Sequence, residues 1–386
     1  MSELTGDVLV IGAGPAGIAS AYYLEKAGIP YTIVDRAHVI GSTWANLYPS
    51  LRLNTASYVS HLPGERFPLR YGIYATGRQF YEYLCRYVNK RKFRILLGVE
   101  VRRVSPQDGG WCVETSIGSA WFPAVIVASG RFSNPYIPDI PGIDQTACEV
   151  LHAHDFNHAA PFAGKRVLVV GNGPSGVDIA LELLPVAQLP VYLSIRSDIV
   201  VARRCPYGLP DSTWNLLARA FVPKRWRKRV LDKIIYQGYR DAANLGLPLA
   251  PNRTDRRGTS APIRGRQLID AVKAGSIKVV AGLECFEHDS VVLMDGTRYD
   301  VDTVILSTGY RPAINYLDFP YETDTDGWPR RITDDIEGGS TEVLGYLGLH
   351  LVGRFYRGLG PLHNIRSEAR TAVSEIQQRL RHLQSR

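Results

Sequence analysis

Residues 8–17 read VLVIGAGPAG, an apolar run that leads into a glycine-rich turn and then into a segment with helical spacing. The turn consists of Gly12, Ala13, Gly14, Pro15, Ala16 and Gly17. Strand, turn and helix in this order are the context that the GxGxxG dinucleotide-binding fingerprint requires. Its first glycine makes the tight turn, its second lets the backbone approach a pyrophosphate, and its third lets helix and strand pack closely.

The same fingerprint occurs a second time, where residues 167–176 read VLVVGNGPSG. Its turn consists of Gly171, Asn172, Gly173, Pro174, Ser175 and Gly176. Again an apolar run precedes the turn and a segment with helical spacing follows it. The sequence therefore predicts an α/β protein with two Rossmann-like domains and two bound dinucleotides.

The residues that end the next strand distinguish the two predicted sites. Asp35 follows the apolar run 31–34, where a carboxylate can accept hydrogen bonds from ribose hydroxyls, so the first site suits FAD or NAD. Arg196 ends the matching strand of the second half, and Arg204 follows nearby. A guanidinium pairs with a 2′-phosphate that a carboxylate would repel, so the second site suits NADPH.

Composition and length indicate a globular protein with two domains. The chain has 386 residues, of which 45% are hydrophobic and 21% charged. The first fingerprint lies too close to Met1 to leave room for a targeting peptide, and no apolar run reaches the length of a bilayer span. Five scattered cysteines without a CxxC pair fit a reducing compartment. We therefore expect a cytoplasmic protein, and the spacing of its cysteines and histidines predicts no metal site.

A strongly basic run, KRWRKR at residues 224–229, contributes to the net charge of +8. Such a run can bind nucleic acid or an anionic membrane surface, or it can be a solvated helix face. We favour the solvated face because anionic cofactors already account for a basic protein, and we expect no nucleic-acid partner. A peripheral membrane contact stays open, and the sequence does not indicate an oligomeric state.

The second half of the chain repeats the plan of the first. An apolar strand ends in Ser129-Gly130, and a similar strand ends in Thr308-Gly309. This repetition indicates two related lobes, with the proline-rich segment 131–142 as the crossing between them.

Local patterns predict the remaining elements of the first lobe. Residues 41–80 are rich in Gly, Pro, Tyr and Asn and indicate loops that wrap a ligand. A helix is predicted near 77–90, and strands around 94–98, 100–104 and 111–115 fit a small antiparallel excursion. A final helix is predicted from about Ser367 to Leu383.

Several further motifs bear on family membership. They include Asp35-Arg36 followed by Gly41-Ser42-Thr43-Trp44, the proline-rich crossing, and Leu306-Ser307-Thr308-Gly309-Tyr310-Arg311-Pro312. With the two fingerprints they resemble the class B flavin-containing monooxygenases over nearly the whole chain. Residues 258–279 look most like the branch that contains the plant indole-3-pyruvate monooxygenases. In the signature before the second fingerprint, His152 and Phe156 match the family, whereas Thr146 and Cys148 replace its Phe and Gly.

The resemblance implies an FAD-binding domain of residues 1–160 and 310–386. A NADPH-binding domain of residues 161–309 is inserted into it, with a helical insert at about 205–262. Asp35, Arg36, Thr43 and Trp44 would bind the FAD, with Trp44 near the flavin ring, and residues 357–360 would close over the flavin. For His152 we expect a structural role, in which its hydrogen bonds hold the crossing.

The implied activity is that of a monooxygenase. NADPH would reduce FAD, O2 would add to give a flavin hydroperoxide, and one oxygen atom would pass to a small organic substrate. Asn54 matches the family's active-site asparagine, whose neutral amide can donate to a peroxide without protonating it. Oxidative decarboxylation, oxygenation at nitrogen or sulfur, and Baeyer–Villiger insertion all stay open. So do two other functions, an NADPH-dependent reductase that inserts no oxygen and a dinucleotide-binding sensor without turnover.

Overall fold

The chain folds into two compact units in this computed structural model, which describes residues 4–236, 245, 247, 262–333, 339–354 and 359–384. The first unit consists of Met1–Leu47, Arg52–Asn134 and Arg311–Arg386. The second unit consists of Tyr48–Leu51 and Pro135–Tyr310.

Both halves of the chain contain helices and strands. The strands are β1 (Val8–Ile11), β2 (Tyr31–Asp35), β3 (Ile95–Leu97), β4 (Val101–Gln107), β5 (Gly110–Thr115), β6 (Gly118–Phe122), β7 (Ala124–Val127), β8 (Glu149–His152), β9 (Val167–Val170), β10 (Val191–Ser194), β11 (Val201–Ala202), β12 (Ile263–Arg264), β13 (Ile277–Val280), β14 (Leu283–Phe286), β15 (Ser290–Leu293), β16 (Arg298–Asp300), β17 (Thr303–Leu306), β18 (Glu342–Val343) and β19 (Tyr346–Leu351). The helices are α1 (Pro15–Ala27), α2 (Ser42–Ala45), α3 (Gly77–Arg91), α4 (Pro174–Leu183), α5 (Asp211–Phe221), α6 (Lys224–Leu231), α7 (Gln267–Lys273) and α8 (Pro361–Gln384).

The first unit is built on a six-stranded sheet in the order β18-β19-β7-β1-β2-β3, parallel except for β18. Every residue of β1 is buried, because each face of the sheet is covered. Val8 and Val10 pack among residues of α1, α3 and α8 on one face. Leu9 and Ile11 pack on the other face against the antiparallel sheet β4-β5-β6.

The second unit repeats this three-layer plan around a five-stranded parallel sheet in the order β13-β10-β9-β17-β8. Val167 and Val169 pack with α4 and α7, whereas Leu168 packs against the antiparallel sheet β14-β15-β16. Two largely parallel sheets, each containing the strand that leads into a glycine fingerprint, confirm the predicted α/β class and the two Rossmann-like domains.

The predicted antiparallel excursion was wrong in one strand. β3 does not belong to it but pairs parallel with β2 at the edge of the main sheet. The physical reason is that α3 separates the two strands, and a strand–helix–strand unit returns parallel to its start. The third antiparallel strand is β6, whose sequence GSAWF gave no clear strand signal.

The final helix begins at Pro361, six residues before the predicted start. Proline suits the first turn of a helix, where its missing N–H would have no partner. The compact units also differ from the predicted domain bounds, because residues 135–160 lie with the second unit. The cause is β8, which pairs with β17 at the edge of the second sheet.

The predicted helical insert contains α5 and α6, and most of its residues after 236 lie outside the described part of the chain. Among the described residues, no helix combines the length and the apolar content needed to cross a bilayer. In the same part of the chain, His, Cys, Asp and Glu side chains form no group of three that could hold a metal ion.

Helix α8 is fastened to the sheet edge by a half-buried carboxylate, Glu375. The hydroxyl of Thr341 donates to Glu375 Oε2 at 2.8 Å, and Nδ1 of His350 lies 3.3 Å from the same oxygen. Burial alone would raise the pKa of Glu375, but hydrogen bonds from His350, Ser340 and Thr341 outweigh it and lower the pKa to about 2.

We predict that Glu375 makes folding stability dependent on pH in the acid range. Its folded pKa lies below its ordinary value of 4.5, so its contribution is complete above that value and disappears as the pH falls towards 2. Glu375→Gln should therefore unfold at lower denaturant than wild type at neutral pH, and the difference should shrink on acidification. Denaturant titrations across this range measure it, with the exposed carboxylate variant Glu322→Gln as the control. A difference that is independent of pH would contradict the prediction.

Candidate functional site

The first glycine fingerprint forms a tight turn between β1 and α1. Gly12 has a φ of 112°, and a Cβ there would lie 2.6 Å from the carbonyl oxygen of Ala128. A Cβ on Gly17 would collide with the carbonyl oxygen of Gly12. Both positions therefore require glycine for reasons internal to the protein.

Gly14 differs from the other two glycines of the fingerprint, because a Cβ at Gly14 would meet no protein atom within 4 Å. It is the N-cap of α1, and no side chain caps the helix start. The amide groups of the first turn therefore point into open space, where the helix dipole favours an anion. This cradle fits the diphosphate of a dinucleotide.

The second fingerprint has the same three-glycine geometry. Gly171 has a φ of 132° and leaves no room for a Cβ beside the carbonyl oxygen of Ser307. A Cβ on Gly176 would lie 2.5 Å from the carbonyl oxygen of Gly171, whereas one on Gly173 would meet nothing within 4 Å. Gly173 is the N-cap of α4, again without a side-chain cap. Pro174 and Ser175 form the first turn of α4, as Pro15 and Ala16 do in α1.

Asp35 ends β2 and joins two backbone segments of the first site. Its Oδ2 accepts the N–H of Ala13 at 2.7 Å, and its Oδ1 accepts the N–H of Ala37 at 2.8 Å. Each carboxylate oxygen has a second lone pair, which can accept a ribose hydroxyl. Arg36 is exposed and donates from Nη2 to the carbonyl oxygen of Ser133 at 2.9 Å.

Helix α2 is attached directly to the first glycine turn, because the N–H of Gly41 donates to the carbonyl oxygen of Ala13 at 3.1 Å. This bond brings Thr43 and Trp44 close to the fingerprint. The Trp44 ring packs against Phe80 of α3, with the ring centroids 4.3 Å apart. Trp44 therefore has one face in the core, and its predicted contact with a flavin stays a prediction.

Asn54 lies half-buried in an irregular segment that its neighbours hold on both sides. The N–H of Leu53 donates to the carbonyl oxygen of Ala75 at 2.9 Å, and the hydroxyls of Thr55 and Ser60 lie 2.7 Å apart. A Cβ on Gly360, just before α8, would come within 2.5 Å of the Thr55 side chain. Among the described residues, the Asn54 amide has no hydrogen-bond partner, so it is available to a ligand.

The sequence did not reveal the residues that support Asn54. Thr55 and Gly360 are distant in the chain, and their contact depends on how α8 returns to the first unit. The only signal was the glycine at 360 itself, which has a φ of 105° in the structure. Of the stretch predicted to close over the flavin, Arg357 and Gly358 lie outside the described residues, as do residues 258–261.

The two arginines predicted for the second site differ in environment. Arg196 follows β10, is exposed and has no ion pair within the described part of the chain. The loop beyond it is tied to the fingerprint, because Asn172 donates from Nδ2 to the carbonyl oxygen of Ser197 at 2.7 Å. Arg204 is half-buried, and its charge acts on the half-buried carboxylate of Asp178. Arg196 is therefore the more accessible of the two arginines, and the predicted contact of either with a 2′-phosphate stays a prediction.

Half-buried Asp178 and buried Tyr48 form a polar pair that the sequence did not indicate. Asp178 lies on α4, and the Tyr48 hydroxyl donates to its Oδ2 at 3.2 Å. Burial raises the pKa of Asp178, against the lowering effects of the Tyr48 hydrogen bond and the Arg204 charge. Burial and the neighbouring carboxylate also raise the pKa of Tyr48.

His152 makes the structural hydrogen bonds that were expected of it. Its Nδ1 accepts the N–H of His154 at 3.0 Å, which places the proton on Nε2, and Nε2 donates to the carbonyl oxygen of Gly309 at 3.1 Å. Burial lowers the pKa of His152, in agreement with a neutral ring. Gly309 has a φ of 93° and also accepts the N–H of Tyr136.

The two departures from the family signature are accommodated locally. The Thr146 hydroxyl donates to the carbonyl oxygen of His288 at 3.2 Å. Cys148 is buried in the core of the second unit, and its Sγ lies 3.1 Å from the carbonyl oxygen of Val301.

Comparison with known proteins identifies relatives across the whole chain. Residues 9–204 match the family described as pyridine nucleotide-disulphide oxidoreductase. A probable indole-3-pyruvate monooxygenase of Arabidopsis thaliana is 30% identical over 374 residues, which cover 91% of this chain and 84% of that protein.

Solved structures agree with these matches. A flavin-containing monooxygenase from Stenotrophomonas maltophilia is 26% identical, with a TM-score of 0.71 and coverage of 98% of this chain and 99% of that one. A bacillithiol disulfide reductase from Staphylococcus aureus shares only the fold, at 14% identity and a TM-score of 0.69, with 96% and 98% of the two chains covered.

We predict that alanine at Gly14 or Gly173, where an added Cβ would meet no protein atom, weakens cofactor binding without impairing folding. Gly14→Ala should lower flavin content, and Gly173→Ala should raise the Michaelis constant for NADPH while flavin is retained. Each added methyl enters only the ligand's space, which should weaken binding by roughly tenfold or more. Flavin absorbance, NADPH titration and thermal melts of the flavin-free proteins measure these effects.

The matched control is Gly17→Ala, which adds the same methyl against backbone and should lower the melting temperature instead. Loss of folding in Gly14→Ala, or full cofactor binding in both Gly14→Ala and Gly173→Ala, would contradict the assignment of the two turns as cofactor sites.

Proposed function

This chain belongs to the class B flavin-containing monooxygenases, the family that includes the plant indole-3-pyruvate monooxygenases, and from that premise we propose that its substrate is an aromatic 2-oxo acid. It is an oxidoreductase that uses FAD and NADPH to insert one oxygen atom of O2 into a small organic molecule. Family membership favours this activity over the reductase alternative, although reductases share the fold.

The observation that supports the substrate class is the nearly full-length match to plant indole-3-pyruvate monooxygenases. On a 2-oxo acid, the inserted oxygen would convert the ketone carbon to a carboxylic acid as the original carboxyl group leaves as CO2. The test is a panel that contains indole-3-pyruvate, phenylpyruvate, a thioether, a tertiary amine and a cyclic ketone. Substrate-dependent NADPH oxidation with release of CO2 from the oxo acids supports the proposal. Coupled turnover of only the sulfide, amine or ketone would contradict it.

We propose that the first unit binds FAD and the second binds NADPH. Asp35 supports FAD in the first unit, because its carboxylate can accept hydrogen bonds from a ribose diol and would repel a 2′-phosphate. Exposed Arg196 supports NADPH in the second unit, because it can pair with that phosphate. Gly12, Gly14 and Gly17 would hold one diphosphate, and Gly171, Gly173 and Gly176 the other.

When bound, FAD supplies the redox chemistry and the activation of O2. The protein's part is to place an uncharged hydrogen-bond donor beside the reacting atoms, and we propose Asn54 for this role. Its amide can donate a hydrogen bond but has no acidic proton to lose, so it stabilises bound oxygen without promoting its release as peroxide. The Thr55–Ser60 pair and the absence of a side chain at Gly360 fix the backbone that carries it.

We also propose a cytoplasmic location. The five cysteines all lie within the described residues, and none forms a disulfide. Free thiols are typical of a reducing compartment. Fractionation of the source cells, with the protein detected by antibody, tests the location.

We predict that Arg196 sets the preference for NADPH. Arg196→Ser removes a charge-assisted contact worth about 1.5–3 kcal/mol, so the Michaelis constant for NADPH should rise roughly 10- to 100-fold. The constant for NADH should change little, because NADH lacks the 2′-phosphate. The measurement is steady-state oxidation of both cofactors, with exposed Lys273→Ser as a charge-matched control. Equal effects on the two cofactors would refute the assignment.

The prediction for Asn54 tests oxygen insertion itself. Asn54→Ala should keep NADPH-driven flavin reduction near the wild-type rate, since hydride transfer precedes the step that Asn54 serves. Oxygen consumption should continue, but the product should shift from oxygenated substrate to hydrogen peroxide. Anaerobic stopped-flow reduction and the ratio of product to NADPH consumed measure the two effects. The control is exposed Asn46→Ala, and loss of flavin from Asn54→Ala would show a structural role instead.

A further inference from the structure

Helices α5 and α6 form a hairpin in the second unit, residues 211–231, which we call the basic hairpin. Val222 and Pro223 make its turn. Arg227 of α6 donates from Nε to the carbonyl oxygen of Val222 at 2.9 Å and from Nη2 to that of Arg219 at 3.0 Å. These carbonyls end α5, where a cation is most favourable, so Arg227 locks the two helices together.

The outer face of α6 presents unpaired positive charge. Its exposed cations are Lys224, Arg225, Lys228 and Arg229. The sequence of α6, KRWRKRVL, contains no carboxylate, and none of the four cations forms an ion pair within the residues that the structure describes. Neighbouring like charges repel one another, so this concentration destabilises the free surface and favours an anionic partner.

Large apolar side chains lie exposed on the same hairpin. Phe221, at the end of α5, is 81% exposed, and Leu217, one helical turn earlier on the same face, is 37% exposed. Leu216 is also exposed. On α6, Trp226 is 46% exposed, and the guanidinium groups of Arg225 and Arg229 each lie 5.9 Å from its ring. Exposed aromatic and aliphatic side chains beside cations are the composition of a helix that lies in a membrane interface.

We propose that the basic hairpin docks this enzyme on an anionic lipid bilayer surface. The cations attract the lipid phosphates, and Phe221, Leu217 and Trp226 enter the headgroup region, where they lose exposed apolar area. A nucleic acid would satisfy the charges but would leave the Phe221 and Leu217 side chains in water. A second copy of the chain would bring two basic surfaces together. Of these three partners, the lipid surface is the one that accounts for both the charge and the apolar exposure.

The test is flotation of the FAD-loaded enzyme with phosphatidylcholine vesicles that contain or lack phosphatidylglycerol. Wild type should float with the anionic vesicles only, and high salt should release part of it. Arg225→Gln with Arg229→Gln should weaken partitioning about 30-fold, because each cation near the surface contributes about 1 kcal/mol. Phe221→Ser should weaken it about tenfold through lost apolar burial. Flavin content should stay at the wild-type level in both variants.

The matched control is Arg102→Gln with Arg381→Gln, which removes two exposed cations outside the hairpin and should leave flotation unchanged. Three outcomes would overturn the proposal. The first is that wild type fails to bind anionic vesicles, and the second is that the control variant loses binding as fully as the hairpin variant. The third is that Phe221→Ser floats normally while an oligonucleotide displaces wild type from the vesicles, which would indicate a general polyanion site.

Discussion

The structure depends on one close backbone approach, the packing of a helix start against the turn that precedes it. At both fingerprints the carbonyl oxygen of the first glycine occupies the place where the third glycine would carry its Cβ. This contact lets each helix begin after a turn of only three residues, and no side chain caps the helix start. The anion site thus follows from backbone geometry, and the side chains around it only select which dinucleotide it takes.

This division of roles between backbone and side chains explains why the sequence predicted so much of the fold. Glycine spacing and apolar runs are local signals, and both parallel sheets were expected from them. The ends of the strands that follow the fingerprints added Asp35 and Arg196, the two residues proposed to select the dinucleotides. The misplaced strand β3 shows the limit of local signals, because its apolar residues suit either a parallel or an antiparallel neighbour. Only the intervening helix α3 decides between them.

Long-range contacts could not be predicted from the sequence, for a different reason. The Tyr48–Asp178 pair joins residues 130 positions apart, and neither side chain has a motif of its own. Glu375 likewise appeared as one of many charges on a helix, yet the structure makes it the acceptor that ties α8 to the sheet edge. Partial burial sets the hydrogen bonds and the pKa of Asp178 and Glu375, and the burial of a side chain depends on the complete fold.

The net charge of the chain illustrates how structure changes an interpretation. Two anionic cofactors explain a basic protein, but they need cations near the fingerprints, and the exposed candidates predicted there are Arg36 and Arg196. The four exposed cations of α6 by themselves equal half of the formal net charge of +8. They lie on a hairpin that also exposes Leu217, Phe221 and Trp226, and several large apolar side chains on one element are unusual for a solvated face. Because charge and apolar exposure coincide on one hairpin, the basic hairpin is better explained by a membrane partner than by the cofactors.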